Sequence, residues 1–417
     1  MNITNELKYR FCKNCGIPIN LYAEPYFTDR IKLLEKQYGS ANKYQKFLAS
    51  IEKFKSEQEY YEFYNKVKND IIAAIKATAG YQRFNEMDMR EVGEIIKGYS
   101  LPSKTIYKPT FSGKRFISID MKQANFTSLY HYDPSIFDGA TTWEEYIRKF
   151  TDDECIIESK YVRQRIFGEC NPNRQTTYEK FLMCGIVAFL LAEIPEENIV
   201  FFSNDEIVIL DNGYLSCIEK CVQKYSDETG LKFKVESFRL YDLGNNIGYM
   251  KLYDDMSYKL KCVDNDYVHM IIRYMEYGEV LNSDLYFYYK HTLAMLEETP
   301  KYIRESKPLQ CYHAQIVKQV FIKKLRTFFG MNNSDGTYFY NLTRDKSGFD
   351  VGTVTINDFE EVTDEQLDEL AVYALPVTGS IFSASIGLKA ITAHCGTPRN
   401  SVDSSTMLKK SLSFSNP

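Results

Sequence analysis

The sequence has little to offer a membrane or a secretory route. No apolar window reaches the roughly 18–20 residues a membrane span requires; the best, residues 181–194, carries Glu193 and runs into Pro195. The opening MNITNELKYRF has neither a basic start nor an apolar core, so no signal peptide is expected. Ten cysteines without regular spacing argue against a disulfide framework and for a reduced, intracellular compartment such as the cytoplasm. An excess of positive charge is missing too: 51 Lys and Arg face 56 Asp and Glu, a net charge of −5, so no global basic field marks the chain for polyanions. Tryptophan is nearly absent, one residue against 27 Phe and 33 Tyr. What is present is core material: 417 residues, 44% hydrophobic, enough for two or three domains.

Residues 27–77 place apolar and aromatic side chains at helical spacing, as in YQKFLASIEKFKSEQEYYEFYNKVKNDIIAAIKA, which predicts a helical N-terminal region over residues 1–100. From Pro102 to Lys114 the texture turns to Pro, Ser, Thr and Gly, the mark of a loop or strand pair. Phe116 to Asp120 then reads as a short buried strand ending on a carboxylate, with a helix to follow from Ala124. Residues 143–167 and 174–194 read as helices, and 214–229 as an amphipathic helix stopped by Gly230. Strands are expected after the turn Asp211-Asn212-Gly213 and in LKFKVESFRLYD and NIGYMKLYDD. The order predicts an α+β core over residues 101–255, a small antiparallel sheet backed by helices. Residues 256–340 read as a further helical region, and 341–417 as a C-terminal segment ending in a Ser/Thr-rich mobile tail.

The stretch FFSNDEIVIL, residues 201–210, sets Asp205 and Glu206 between apolar arms, as a hairpin with its acids at the bend would. Asp120 stands 85 residues earlier, at the end of another apolar strand. If the strands are neighbours, three carboxylates converge, and a cation must offset their repulsion. Carboxylate oxygens suit Mg²⁺ or Mn²⁺, which share their remaining positions with water and substrate phosphates.

These motifs resemble the palm of right-hand template-directed polymerases, and most closely the reverse transcriptase type. DMKQANFTSLY at 120–130 is similar to the first palm motif D-L-K-D-A-Y-F-T-I-P-L, and SNDEIVI at 203–209 to the Y-x-D-D hairpin. The resemblance covers roughly residues 105–255. It implies a nucleotidyltransferase with a palm, helical finger elements and a helical thumb near 256–340, taking nucleoside triphosphates and a nucleic-acid primer-template. Asp120, Asp205 and Glu206 would be its metal-binding and catalytic acids, Asp120 and Asp205 holding two Mg²⁺ ions and Glu206 assisting. A rival resemblance joins NDEIV to the H-D-E-I-V of the DNA polymerase I family, with Gln123 and His131 matching its first motif and RQRIFG at 163–168 similar to its finger helix. Only 37 residues separate Gly168 from Asp205, fewer than that family carries, which favours the first branch. An inactive palm-fold scaffold and a two-metal nuclease are the alternative functions.

The resemblance also offers supporting residues. Lys108, Lys114 and Arg115, with Lys104, precede the first motif, where cations would meet a triphosphate. Arg163, Arg165 and Arg174 lie between the acid motifs as candidates for template or nucleotide. Of Lys232 and Lys234, one is expected to address the site and protonate pyrophosphate. Asn125 stands where the sugar is discriminated, and it matches neither branch. Cys12 and Cys15 make half of a zinc knuckle with no second half nearby.

Overall fold

The computed structural model describes residues 3–290 and 292–328. The end of the helical region expected to residue 340, and the segment 341–417 with its tail, lie outside the described residues. Two compact units are distinguished: one holds residues up to Ile272 with Leu281–Tyr302, the other Arg273–Val280 with the chain from Ile303. Among the described residues no helix is long and apolar enough to cross a membrane.

Between Asn5 and Lys97 the regular elements are all helices, joined by short loops. The longest helix here, Glu57–Ala77, buries Tyr60, Tyr64, Val67, Ile71, Ile72 and Ile75, a single stripe at helical spacing. It begins at Ser56, whose side chain accepts from the Glu59 N–H, and ends at Thr78, whose side chain caps the next helix through the Tyr81 N–H.

The sheet has six strands: β1 (Arg115–Met121), β2 (Ile199–Phe202), β3 (Glu206–Leu210), β4 (Phe233–Asp242), β5 (Tyr249–Leu252) and β6 (Tyr258–Lys261). Their spatial order is β2-β3-β1-β4-β5-β6, and every neighbouring pair is antiparallel. Helices, ending with Pro172–Leu190, connect β1 to β2, and Leu215–Thr229 connects β3 to β4. The first four strands thus form the double split β-α-β-β-α-β arrangement, with the β5–β6 hairpin added to one edge. The fold is α+β.

Strand alternation gives the sheet two different faces. Ile117, Ile119 and Met121 of β1 and Ile207 and Ile209 of β3 join the main core with the helices. That core includes Trp143, Leu182, Ile186, Val222 and Tyr225. Gly185 is what lets the two connecting helices approach: a Cβ there would lie 2.8 Å from Cζ of Tyr225, whose hydroxyl donates to the Leu182 carbonyl at 2.8 Å.

The opposite face carries Phe116, Ser118 and Asp120 of β1 with Glu206, Val208, Lys234, Glu236 and Phe238 of its neighbours. One end of this open face is covered by the stretch expected as a loop or strand pair. It leaves the sheet edge where the Phe202 N–H donates to the Pro102 carbonyl at 2.7 Å and returns where the Gly113 N–H donates to the Leu240 carbonyl at 2.7 Å. Between them, Ile106 packs with Phe116, Val208, Phe238 and Leu240. The covering reaches as far as Glu206, whose charge, after burial, raises the Tyr107 hydroxyl.

Two local expectations are corrected. Asp211-Asn212-Gly213 does not lead to another strand: Asp211 Oδ1 accepts from the Gly213 and Tyr214 N–H groups, and the chain goes directly into Leu215–Thr229. The region expected as helical from residue 256 begins with strand β6 and then holds helices Asn265–Tyr277, Lys301–Glu305 and Lys307–Phe328, with a hairpin of β7 (Tyr286–Tyr289) and β8 (Thr292–Met295) between the first two. The aromatic YFYY of β7 reads equally well at either periodicity, and strand pairing decides it.

Candidate functional site

Asp120 is the sixth residue of β1 and Glu206 the first of β3, and the two are direct cross-strand partners. Such pairs place Cβ atoms about 4.5–5.5 Å apart. Asp205 occupies the turn of the β2–β3 hairpin, and its carbonyl accepts from the Met121 N–H at 2.9 Å, which holds the turn against the end of β1. Ser203 closes the turn: its hydroxyl donates to Asp205 Oδ1 at 3.2 Å and accepts from the Glu206 N–H at 3.1 Å. The apolar arms on either side of SNDE are therefore what fix the acids beside Asp120.

The electrostatics report this crowding. Burial, then Asp205, then Glu206 push Asp120 up to about 6, and Lys160 opposes them. Glu179, on Pro172–Leu190, is only 5% exposed and is pushed up to about 7 by burial and then by Asp205. Both acids thus retain protons more readily than free carboxylates do. The fold binds more protons than the unfolded chain between about pH 4 and 7, so these groups lower stability as pH rises through that window. Glu179→Gln removes one such penalty. We expect the variant to be more stable than wild type at pH 8, by about 2 kcal/mol, and equal to it at pH 4; thermal melts at the two pH values check this.

The candidate cations divide into two groups. Lys234 lies directly opposite Asp120 on β4 and pairs with Glu236 at 2.7 Å. Lys232 stands just before β4, and its carbonyl accepts from the Lys122 N–H at 2.9 Å. Arg163, on helix Lys160–Phe167, is half-buried, its Nε has no partner, and Glu144 is the charge nearest to it in effect. The same Glu144 accepts from Gln123 Nε2 at 2.7 Å, which ties its own helix, Trp143–Ile147, to the residues just after β1.

Five other candidates have their observed contacts with groups other than the acids. Arg115 is at the far end of β1, about 17 Å of strand from Asp120, and is engaged by Asp211 at 3.4 Å and by Asp254. Lys108 and Lys114 lie over the Phe111 ring, beside the same end. Arg174 donates to the Met87 carbonyl at 2.6 Å, a contact that anchors its helix. Asn125 presents its carbonyl to Gln175 Nε2 and to the Ser128 hydroxyl.

Cys12 and Cys15 share the last turn of helix Asn5–Cys15, and burial pushes the Cys15 thiol up to about 11. Among the described residues no three of His, Cys, Asp and Glu are grouped to hold a metal ion. That applies at the carboxylates as well. A divalent ion there would rely on two protein carboxylates and take its other oxygens from water or phosphate, the usual state of Mg²⁺.

Sequence reading missed Lys160, Glu179, Ser118 and Lys251. Lys160 carried a usable signal, since it stands three residues before Arg163 on a short helix. Glu179 sits within an apolar helix, where only the neighbouring strand end reveals what it faces.

No family model matches the chain, and no curated protein matches it. Among solved structures, the family B DNA polymerase from the hyperthermophilic archaeon Pyrobaculum calidifontis is similar at a TM-score of 0.24 and 11% identity, over 90% of this chain. The chain spans 58% of that polymerase's length, a likeness too slight to carry an argument about fold or chemistry.

Proposed function

We propose that this protein is a template-directed nucleic-acid polymerase whose sheet serves as the palm. The observation that supports it most is the placement of Asp120 and Asp205 at adjoining strand ends of one sheet, close enough for Asp205, after burial, to raise the Asp120 carboxyl. Fold alone would not suffice, because the same split β-α-β arrangement hosts many functions.

Asp120 and Asp205 would hold a divalent cation, Mg²⁺ or Mn²⁺. When bound, the ion supplies activation of a 3′-hydroxyl and neutralisation of charge at the departing pyrophosphate. The chain's own residues do the rest. Ionised Asp120 requires pH above about 6, so metal affinity should fall as pH drops through that value. Lys160 and Arg163 present positive charge from the adjacent helix, where a triphosphate would lie. Lys234, opposite Asp120, would return a proton to pyrophosphate. Primer and template would be held by phosphate contacts and base stacking.

A non-catalytic palm is favoured by one observation: Lys108, Lys114, Arg115 and Arg174 make other contacts and leave the acids few cations. Chain extension on RNA and DNA templates, with Mg²⁺ or Mn²⁺, separates the two. Labelled nucleotide should be incorporated, and Lys160→Ala should raise KM for the triphosphate about tenfold with a smaller change in kcat. Absence of incorporation on every template with either metal sinks the polymerase reading, and degradation of labelled strands without triphosphates would indicate a nuclease.

A further inference from the structure

Glu206 does not lean toward the end of the sheet where Asp120 and Asp205 meet. Its Oε1 accepts from the Ser118 hydroxyl at 2.7 Å, and Ser118 lies two residues back along β1. The same Oε1 is 3.7 Å from Nζ of Lys251, which reaches over the sheet from β5. Lys251 stands in register with Leu240 on β4, so its side chain belongs to the open face, and Nζ sits 4.1 Å from the centroid of the Phe238 ring. Glu206 and Lys251 thus extend toward each other across the two strands between them, above Ser118 and Phe238.

The burial of this lysine needs a reason. Its side chain is only 6% exposed, against 30% for Glu206. A buried ammonium is costly unless a carboxylate and an aromatic face offset its lost hydration. Lysines on the same strand face achieve their pairing in solvent: Lys234 and Lys259 both pair with Glu236, and their side chains are 50% and 47% exposed. Lys251 alone in this group is drawn beneath, and the group it faces is the second acid of the NDE motif.

We infer that Lys251 is a built-in counter-cation that draws Glu206 out of the acid cluster and leaves Asp120 and Asp205 as the carboxylates for a divalent ion. Lys251 is a positioning residue, acting through Glu206. The inference rests on the proposed metal site, and it revises the role expected for Glu206 as a ligand. It also accounts for the absence of a three-ligand group among the described residues. Without Lys251, Glu206 would rotate back toward Asp120, its cross-strand partner, and add a third carboxylate.

Mn²⁺ titration of the full chain at pH 7.5, read by electron paramagnetic resonance, tests this without needing turnover. Lys251→Met should bind Mn²⁺ about tenfold more tightly than wild type, and Lys251→Arg should bind like wild type. The double variant Lys251→Met/Glu206→Gln removes the pair with no change in net charge and should return to within about threefold of wild type. Asp205→Asn should weaken binding at least about tenfold. Unchanged affinity in Lys251→Met, or loss in the double variant as large as in Asp205→Asn, overturns the inference. If neither wild type nor Lys251→Met binds Mn²⁺, the inference and the polymerase reading fall together. If the affinities follow the expected pattern but no template is extended, only the polymerase reading falls. Thermal melts of each variant confirm that the fold persists.

Discussion

Asp120→Asn and Asp205→Asn are each expected to lower chain extension by about 10³-fold or more while leaving the protein folded. The size follows from the role: each carboxylate would meet the cation on which charge stabilisation depends, and losing one such group removes stabilisation that water does not replace. The two losses should not multiply in the double variant, because both groups act through one ion. Stability should move the other way. Asp120 is held up near 6 by burial and by Asp205, so the neutral amide relieves repulsion that the ionised acid suffers at pH 8. Reduced activity with equal or higher melting temperature at pH 8 is therefore the signature. Variants that keep more than about a tenth of wild-type extension would remove Asp120 and Asp205 from the chemistry.

Trp143→Ala is expected to cost about 3–5 kcal/mol, the largest stability loss among the substitutions considered. Trp143 is fully buried, and its ring centroid lies 5.3 Å from Phe167, 6.2 Å from Tyr146 and 6.5 Å from Phe126. Phe126 belongs to the helix that follows β1, and Phe167 to the helix that carries Lys160 and Arg163. The cavity would therefore open between the helix that follows the acid-bearing strand and the helix that carries Lys160 and Arg163, so KM for triphosphate should rise along with the loss of stability. Trp143→Phe should cost much less, about 1–2 kcal/mol, because Nε1 has no hydrogen-bond partner and its removal eliminates a buried unpaired donor. Urea unfolding followed by circular dichroism measures both. An alanine variant within about 1 kcal/mol of wild type would mean that this packing does not hold the two helices together. As the chain's sole tryptophan, Trp143 also gives the other variants an unfolding probe in the middle of the core.

The parts of the fold legible in the sequence are those governed by short-range periodicity. The stripe from Tyr60 to Ile75 marks a helix whatever it packs against. The apolar arms around SNDE mark a hairpin, because a buried strand interrupted by polar residues is stable only if they form its turn; Ser203 to Asp205 do so, and Glu206 opens β3. The lone carboxylate after FISI marks a strand end for the same reason. Where two periodicities compete, as in YFYY, the local signal fails and pairing with another strand decides.

By itself, then, the sequence marked out the candidate acids and the apolar strands that present them: Asp120, Asp205 and Glu206 are conspicuous because charge is costly in such surroundings. Only the tertiary structure decided what each acid meets. It set β3 beside β1, so Asp120 faces Glu206 and adjoins Asp205. It placed Arg115 at the far end of the same strand, and Lys160 and Glu179 close enough to influence the acids from helices that the sequence does not connect to them. It brought Lys251, 45 residues beyond Glu206, across two strands to pair with it. The physical reason is reach. Backbone periodicity acts over a few residues, whereas strand order and register, set by burial of the whole sheet against its helices, fix which distant side chains share a face.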